Sequence, residues 1–250
     1  MSATNLEVAV TDGIAPSKLF VPDGASEHRS VPLVVMYPDA FGPRPAIWSL
    51  GERLASEGYA VLQPDPFWRL RPYPPFDPET AFSTDAERTR ILALLGKVSF
   101  DETLADVQAT VQSLAGDPRL RTARLGTTGY CMGGRFSLLS AIRWPERVAA
   151  AASVHGGGLV TAKPDSPHLQ LFPVEASLYF AVADNDASCT PEMQESLKMA
   201  VEAAGLPYQL DVFPGASHGF GVPGSSVYVP AAQEKAWVKT SALFDASLRG

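Results

Sequence analysis

Cysteine and histidine are scarce in this chain of 250 residues, which contains two cysteines and four histidines. Two cysteines do not make the disulfide framework of a small secreted protein, so we expect reduced thiols and a cytoplasmic location. The cysteines and histidines show no H-x-H, H-E-x-x-H or C-x-x-C spacing. The sequence therefore predicts no metal site, and nothing in it calls for a cofactor.

Positive charge and long apolar runs are also lacking. The 20 lysines and arginines face 27 acidic residues, which gives a net charge of -7 and argues against a nucleic-acid partner. No apolar run approaches the ~20 residues that a membrane span needs. The first residues are neither basic nor strongly apolar, so we expect no secretory signal. The hydrophobic fraction of 46% is typical of a globular chain, and the length suits one α/β domain over 1–250.

The most informative stretch that is present is RLGTTGYCMGGRFSLLSAIRW, residues 124–144. It predicts a short apolar strand, a sharp glycine-rich turn, and a helix that starts at Met132 and stops before Pro145. A nucleophile on a strand–turn–helix elbow has the pattern G-x-S-x-G, and here Cys131 takes the serine position. Glycines two residues before and after it let the two arms approach, and the helix N–H groups favour negative charge at the tip. Such turns also hold phosphates, but this one contains no phosphate-binding G-x-G-x-x-G or G-K-[ST] pattern.

Strand and helix patterns alternate from residue 32 onward. Short apolar runs predict strands at 32–36, 59–62, 125–128, 148–154, 178–182 and 208–213. Helical patterns lie at 46–57, 85–96, 101–115, 190–205 and 232–248, and an antiparallel strand pair at 6–10 and 17–21 precedes them. The alternation predicts an α/β fold, with a mostly parallel sheet covered by helices on both faces. Segment 67–100 is rich in proline and aromatics without a clean period, and we interpret it as a lid or pocket wall.

Three loops that follow predicted strands carry a cysteine, an acid and a histidine, in that order along the chain. They contain Cys131, the pair Asp184 and Asp186, and His218. Nucleophile, acid, histidine is the chain order of α/β-hydrolase triads. The histidine would take the thiol proton, and an aspartate would orient the imidazole. The residues alone leave both aspartates open, and Cys189 is interpreted as structural.

The chain resembles the dienelactone hydrolase family of α/β-hydrolases over nearly its whole length. The resemblance is carried by YPDAFG (37–42), GYAVLQPDPFWR (58–69), GYCMGG (129–134), ADNDASCTP (183–191) and FPGASHGF (213–220). It implies an α/β-hydrolase fold with Cys131 as nucleophile, His218 as base and Asp186 as the triad acid. Asp184 is the weaker candidate for that acid.

The same resemblance implies that the backbone N–H groups of Met132 and Ala40 form an oxyanion hole. It also places Asp39 where the family has an acid, most often glutamate, that holds the resting thiol. Where the family's dienelactone-cleaving members carry an arginine for the substrate carboxylate, this chain has Val222. A carboxylate that enters a water-poor pocket needs a cation, so we expect a preference for neutral, moderately apolar esters or lactones, unless Arg69, Arg71, Arg88 or Arg90 folds into the pocket.

Four residues are predicted to line the substrate pocket: Phe41, Trp68, Arg88 and Phe220. For Arg88 we favour a solvated helix face over a role in the pocket. The predicted function is hydrolysis of a small ester or lactone through an acyl-enzyme on Cys131, without a cofactor, in a monomer or homodimer. Two alternatives remain open: an acyltransferase with the same triad, and a non-catalytic protein that binds a small molecule or senses redox state through its thiol.

Overall fold

The computed structural model describes residues 1–82 and 84–249; Ser83, inside the predicted lid segment, and Gly250 lie outside the described residues. The strands are β1 (Ser2–Val10), β2 (Gly13–Val21), β3 (Val31–Tyr37), β4 (Ala60–Pro64), β5 (Leu120–Tyr130), β6 (Val148–Val154), β7 (Ser177–Asn185) and β8 (Tyr208–Ser217). The helices are α1 (Pro45–Ser56), α2 (Asp85–Leu95), α3 (Phe100–Ser113), α4 (Met132–Arg143), α5 (Pro191–Ala203) and α6 (Pro230–Leu248).

The strands form one sheet in the order β1-β2-β4-β3-β5-β6-β7-β8. β2 pairs antiparallel with β1 and β4, and every other neighbouring pair is parallel. This confirms the predicted α/β-hydrolase fold with its mostly parallel sheet. Successive parallel strands place their carboxyl ends on the same edge of the sheet, where ligand sites of such folds lie.

Helices cover both faces of the sheet because successive strand residues point to opposite sides. In β3, Leu33 and Val35 belong to one apolar core, and Val34 and Met36 belong to the other. The first core includes residues of α3, α4 and α5, and the second includes residues of α1 and α6. Buried on both faces, the strand reads in sequence as an uninterrupted apolar run.

Most predicted elements are confirmed with shifted ends, and β6 and the start of α4 lie where the sequence predicts. β5 is the main exception, because it begins at Leu120, five residues before the predicted start. Its first residues are polar in pattern, yet Leu120 and Arg121 pair with Val31 and Pro32 of β3. β8 continues to Ser217 and so carries the chain directly to the predicted catalytic histidine.

Between β4 and α3 the chain forms a 3-10 turn at Trp68–Leu70 and helix α2, and the other described residues there have irregular backbone. Ion pairs stabilise the first part of this segment: Arg69 pairs with Asp12 and Asp106, and Arg71 pairs with Asp65. Among the helices of the described ranges, none is long and apolar enough to cross a membrane.

Candidate active site

Cys131 occupies the sharp turn between β5 and α4, with φ 56° and ψ -119°. A non-glycine residue adopts this backbone conformation only when the surrounding structure enforces it. A Cβ at Gly129 would overlap the backbone of Gly133, and a Cβ at Gly133 would overlap the carbonyls of Tyr37 and Pro38. The two glycines therefore let the elbow close, and they bring the loop after β3 against the first turn of α4.

His218 follows β8 and meets one of the two candidate aspartates. Its Nδ1 lies 2.7 Å from Oδ2 of Asp186, whose side chain has an exposed fraction of 0%. The other carboxylate oxygen of Asp186 accepts the N–H of Ser188 at 2.7 Å. Asp184 is exposed and accepts the N–H of Gly215 at 2.9 Å. The structure thus pairs the histidine with Asp186, whereas Asp184 bonds the backbone of β8.

The ring of His218 lies between this carboxylate and the thiol. Burial disfavours its charge, but the negative charge of Cys131 and the hydrogen bonds to Asp186 and Cys131 outweigh burial and raise the pKa of His218 to about 10. A Cβ on Gly157 would lie 3.6 Å from Cε1 of the ring, so the loop after β6 closes over it. The raised pKa favours an imidazolium beside the sulfur of Cys131.

Two backbone N–H groups lie on the segments that meet at the elbow, one in the loop after β3 and one at the start of α4. The N–H of Ala40 has no acceptor within the described residues. The N–H of Met132 belongs to the first residue of α4 and has no intrahelical acceptor. Gly133 holds the two segments together. These are the two donors that the sequence predicts for an oxyanion hole.

Asp39 is buried, but its carboxylate is engaged elsewhere. Its two oxygens accept hydrogen bonds from the Arg44 guanidinium at 2.6 and 2.8 Å. Oδ1 also accepts the N–H of Phe41 at 3.0 Å. Across residues 1–82 and 84–249, no hydrogen bond joins Asp39 to Cys131. In this structure the thiol faces His218, and Asp39 fixes the loop that carries Ala40.

Phe41 and Phe220, two of the predicted pocket residues, have different surroundings. Phe41 is partly exposed, and its ring lies 5.9 Å from that of Phe82 in the lid segment, edge to face. It therefore joins the lid to the loop after β3, beside the donor of Ala40. Phe220 is fully buried and packs against His155 with ring centroids 5.3 Å apart, so it supports the site from behind.

Trp68 and Arg88, the other two, are directed away from the triad by the contacts they make. The Trp68 indole N–H donates to Asp106 at 2.9 Å, and its ring lies against Gly13 in the β1–β2 hairpin. The Arg88 side chain is 53% exposed and donates to the carbonyl of Phe82 at 3.0 Å. The structure does not bring either side chain to Cys131.

Sequence reasoning missed Arg135, which follows Cys131 by four residues and so lies one helical turn along α4. Its guanidinium stacks on Phe100, 4.3 Å from the ring centroid, and borders Gly158. Its Nε is buried and has no hydrogen-bond partner within the described ranges. Burial lowers the pKa of Arg135, although the charge of Asp165 opposes this. The i, i+4 spacing from the elbow cysteine is the signal that would have found it.

His155 was also missed, although it directly follows β6 next to the elbow. It is 1% exposed, and its Nδ1 accepts the backbone N–H of Cys131 at 3.1 Å. A histidine at the carboxyl end of a strand beside the nucleophile was a usable signal. In the part of the chain that the structure describes, no three His, Cys, Asp or Glu side chains cluster as metal ligands would.

The sheet, the strained turn and the buried acid–histidine pair define an α/β-hydrolase. The sequence profile of the dienelactone hydrolase family matches residues 18–248, so the chain belongs to the dienelactone hydrolase family. It is accordingly a hydrolase of the carboxylic ester or lactone class.

Individual relatives agree with this assignment. The chain is 28% identical to a Synechocystis protein named "putative carboxymethylenebutenolidase", over 87% of each chain. It is 26% identical to the carboxymethylenebutenolidase of Rhodococcus opacus, over 88% of this chain and 83% of the relative. A crystal structure from Klebsiella pneumoniae, named "putative dienelactone hydrolase", superposes with a TM-score of 0.81 at 24% identity. That superposition covers 98% of this chain and 99% of the other, and at this identity it shows the shared fold.

Proposed function

We propose that the chain cleaves a small ester or lactone through a thioester formed on Cys131. The observation that carries the proposal is a cysteine on a strained strand–helix turn, paired with a histidine that a buried aspartate orients. A thiolate in this position is a strong nucleophile, and it suits activated esters better than amides. The proposed substrate class is therefore small esters and lactones, as the names of the relatives also suggest.

In the proposed first step, the thiolate of Cys131 attacks the carbonyl carbon. The carbonyl oxygen becomes an oxyanion, and the N–H groups of Met132 and Ala40 are placed to donate to it. The C–O bond then breaks, and the His218 imidazolium gives its proton to the leaving oxygen. A thioester and a free alcohol result; for a lactone, the alcohol stays attached to the acyl group.

In the second step, neutral His218 takes a proton from water, and the resulting hydroxide attacks the thioester. Collapse of the tetrahedral intermediate releases the carboxylic acid and regenerates the thiolate. Asp186 stabilises the imidazolium and keeps the Nδ1 proton on its own side, so Nε2 faces the reaction. Asp39 stays a predicted holder of the resting thiol, and it would have to leave Arg44 to act in that way.

The test compares the two cysteines of the chain. Cys189 is buried, and burial with the nearby charge of Asp186 raises the pKa of its thiol to about 12, so it is the inert control. Cys131→Ala should lose more than about 10³-fold in kcat on p-nitrophenyl acetate, whereas Cys189→Ala should stay within about threefold. Mass spectrometry of quenched reactions should find the acyl group on the peptide that contains Cys131. Turnover that survives Cys131→Ala would refute the proposal.

Product analysis separates hydrolysis from acyl transfer. With a lactone or aryl ester and an added alcohol or amine, a hydrolase gives mainly the acid, because water outcompetes the acceptor. A dominant ester or amide product would favour the acyltransferase instead. Binding of substrate without turnover, for every ester in a panel, would favour a non-catalytic role.

A further inference from the structure

The backbone N–H of Cys131 points at an imidazole. It lies 3.1 Å from Nδ1 of His155 and 3.1 Å from the carbonyl oxygen of Val154. The second bond continues the pairing of β5 with β6, but the first is a contact between a side chain and the elbow itself. His155 has φ 39°, a left-handed value that is uncommon outside glycine. The chain thus adopts a costly backbone conformation that points this ring toward the elbow.

The hydrogen bond fixes the protonation of His155. Because Nδ1 accepts, a neutral ring must carry its proton on Nε2. Burial, together with the positive charge of His218, keeps the pKa of His155 well below its usual value. Nε2 is buried and has no acceptor among the described residues, while a Cβ on Gly221 would lie 3.2 Å from it. A buried N–H without a partner is unfavourable, so fold stability alone does not explain a histidine here.

The same ring also contacts the proposed base. The centroids of His155 and His218 are 5.3 Å apart with the planes at 68°, an edge-to-face arrangement. Tyr130 and Phe220 pack against His155 at 5.8 and 5.3 Å, with planes inclined at 50° and 69°. A neutral aromatic ring beside an imidazolium is favourable, whereas a second positive charge there would repel it. The titratable groups in contact with His155 are Tyr130, Cys131 and His218. Asp186 in turn pairs with His218.

We propose that His155 is a positioning residue that joins the nucleophile to the base: its Nδ1 holds the Cys131 amide, and its ring supports His218. This inference rests on the proposed function of those two residues. The consequence is geometric. A single rigid ring, enclosed by two aromatic neighbours, sets where the thiolate and the imidazolium lie relative to each other. Small displacements between reacting groups reduce rates strongly, so the link should appear in kcat more than in KM.

Two substitutions of nearly equal size test the link. His155→Asn keeps an acceptor near the Nδ1 position, and asparagine tolerates a positive φ well. His155→Leu has a similar shape but no acceptor. We expect His155→Asn to stay within about fivefold of wild type in kcat, and His155→Leu to lose about 10–100-fold with KM changed less than threefold. Tm values of both variants control for folding.

The rate at which iodoacetamide alkylates Cys131 separates the two roles of His155. This rate should not change if His155 is needed only for the fold. With the link intact, the imidazolium lies beside the sulfur, and we expect rapid alkylation at pH 6–7 in wild type and His155→Asn. In His155→Leu the rate at pH 6–7 should fall and recover above pH 9, where free thiolate forms without help. Equal kcat and equal alkylation profiles in the two variants, whether both high or both low, would overturn the inference.

If His155→Leu does not fold, His155→Gln replaces it, because its amide oxygen reaches toward the Nε2 position and misses the Cys131 amide. His155→Asn should then exceed His155→Gln in kcat by about tenfold. Failure of the proposed function would look different. In that case wild type itself would show no acyl group on Cys131, whereas failure of this inference alone leaves the wild-type intermediate intact.

Discussion

The sheet edge that carries Cys131, Asp186 and His218 and the lid segment 67–100 both border the site, but they are built differently. At the sheet edge the reactive groups follow strands, and Asp186 is buried with both oxygens hydrogen-bonded. In the helical part of the lid, Arg90 pairs with Glu87 of the same helix at 2.6 Å, and Phe82 is 46% exposed. The difference indicates that the sheet fixes the chemistry, while the lid supplies a surface that can vary without moving the catalytic groups.

The largest effect that this comparison predicts falls on the acid at the sheet edge. Asp186→Asn should lower kcat by about 10²–10⁴-fold, because asparagine donates to Nδ1 and favours the wrong imidazole tautomer. Asp184→Asn is the matched control two residues away; its carboxylate is exposed and accepts the backbone N–H of Gly215, so we expect less than a threefold change. Steady-state kinetics on one ester measures both. Equal small losses would remove the aspartate from the mechanism.

A second, smaller effect concerns stability and pH. The pKa of His218 is raised from 6.5 to about 10, so the stability from its pairing is fully present below pH 6.5 and is lost as pH rises through about 10. Asp186→Asn should therefore lower the free energy of unfolding by about 1–3 kcal/mol at pH 6, and the loss should shrink toward pH 10. Denaturant unfolding of wild type and variant at pH 6, 8 and 10 measures it.

Asp184→Asn again serves as the control, because its carboxylate does not meet the histidine. Its effect on the free energy of unfolding should stay constant across the same pH range. A difference between wild type and Asp186→Asn that grows with pH would contradict the assigned pairing. It would show that His218 is not held as a cation by this carboxylate in the folded state.

Much of the sheet edge was predictable, because its signals are local. The elbow and the start of α4 follow from glycine spacing, and β6 follows from its apolar run. Thr190 accepts the N–H of Met193, and Pro191 starts α5, as capping rules predict. The choice of Asp186 over Asp184 needed the family resemblance, since two residues of one loop differ only in the direction of their side chains.

The lid was predictable only as a segment. Its residues have no period, so no rule says which of them turn inward. Trp68 was expected in the pocket, but Asp106 on α3 supplies an acceptor for its indole N–H, a pairing between residues 38 apart. Phe220 was expected at the surface of the pocket, but the bend after β8 buries it behind His155. The first part of β5 was missed because strand pairing, not apolar sequence, forms it.

The smallest predicted effect tests which region supplies a cation to the substrate. The sequence predicts a preference for neutral esters, with arginines of the lid as the possible exception. In the structure these lid arginines already form ion pairs: Arg69 and Arg71 pair with aspartates, and Arg90 pairs with Glu87. Arg135, on the first turn of α4, has a buried Nε without a partner in the described part of the chain. Because it follows Cys131 by one helical turn, we expect Arg135 to be the guanidinium that meets an anionic group beside the thiol.

We therefore expect Arg135→Gln to lower the ratio of kcat/KM for a carboxylated lactone to that for its methyl ester by about tenfold, which corresponds to about 1.4 kcal/mol. Taking the ratio removes any change common to both substrates, such as a small shift of α4. Arg88→Gln makes the same exchange in the lid, where the side chain is 53% exposed and bonds a lid carbonyl, so its ratio should stay within about twofold. A fall in the ratio for Arg88→Gln but not for Arg135→Gln would reverse the comparison, because the lid would then supply the cation and the sheet edge only the chemistry.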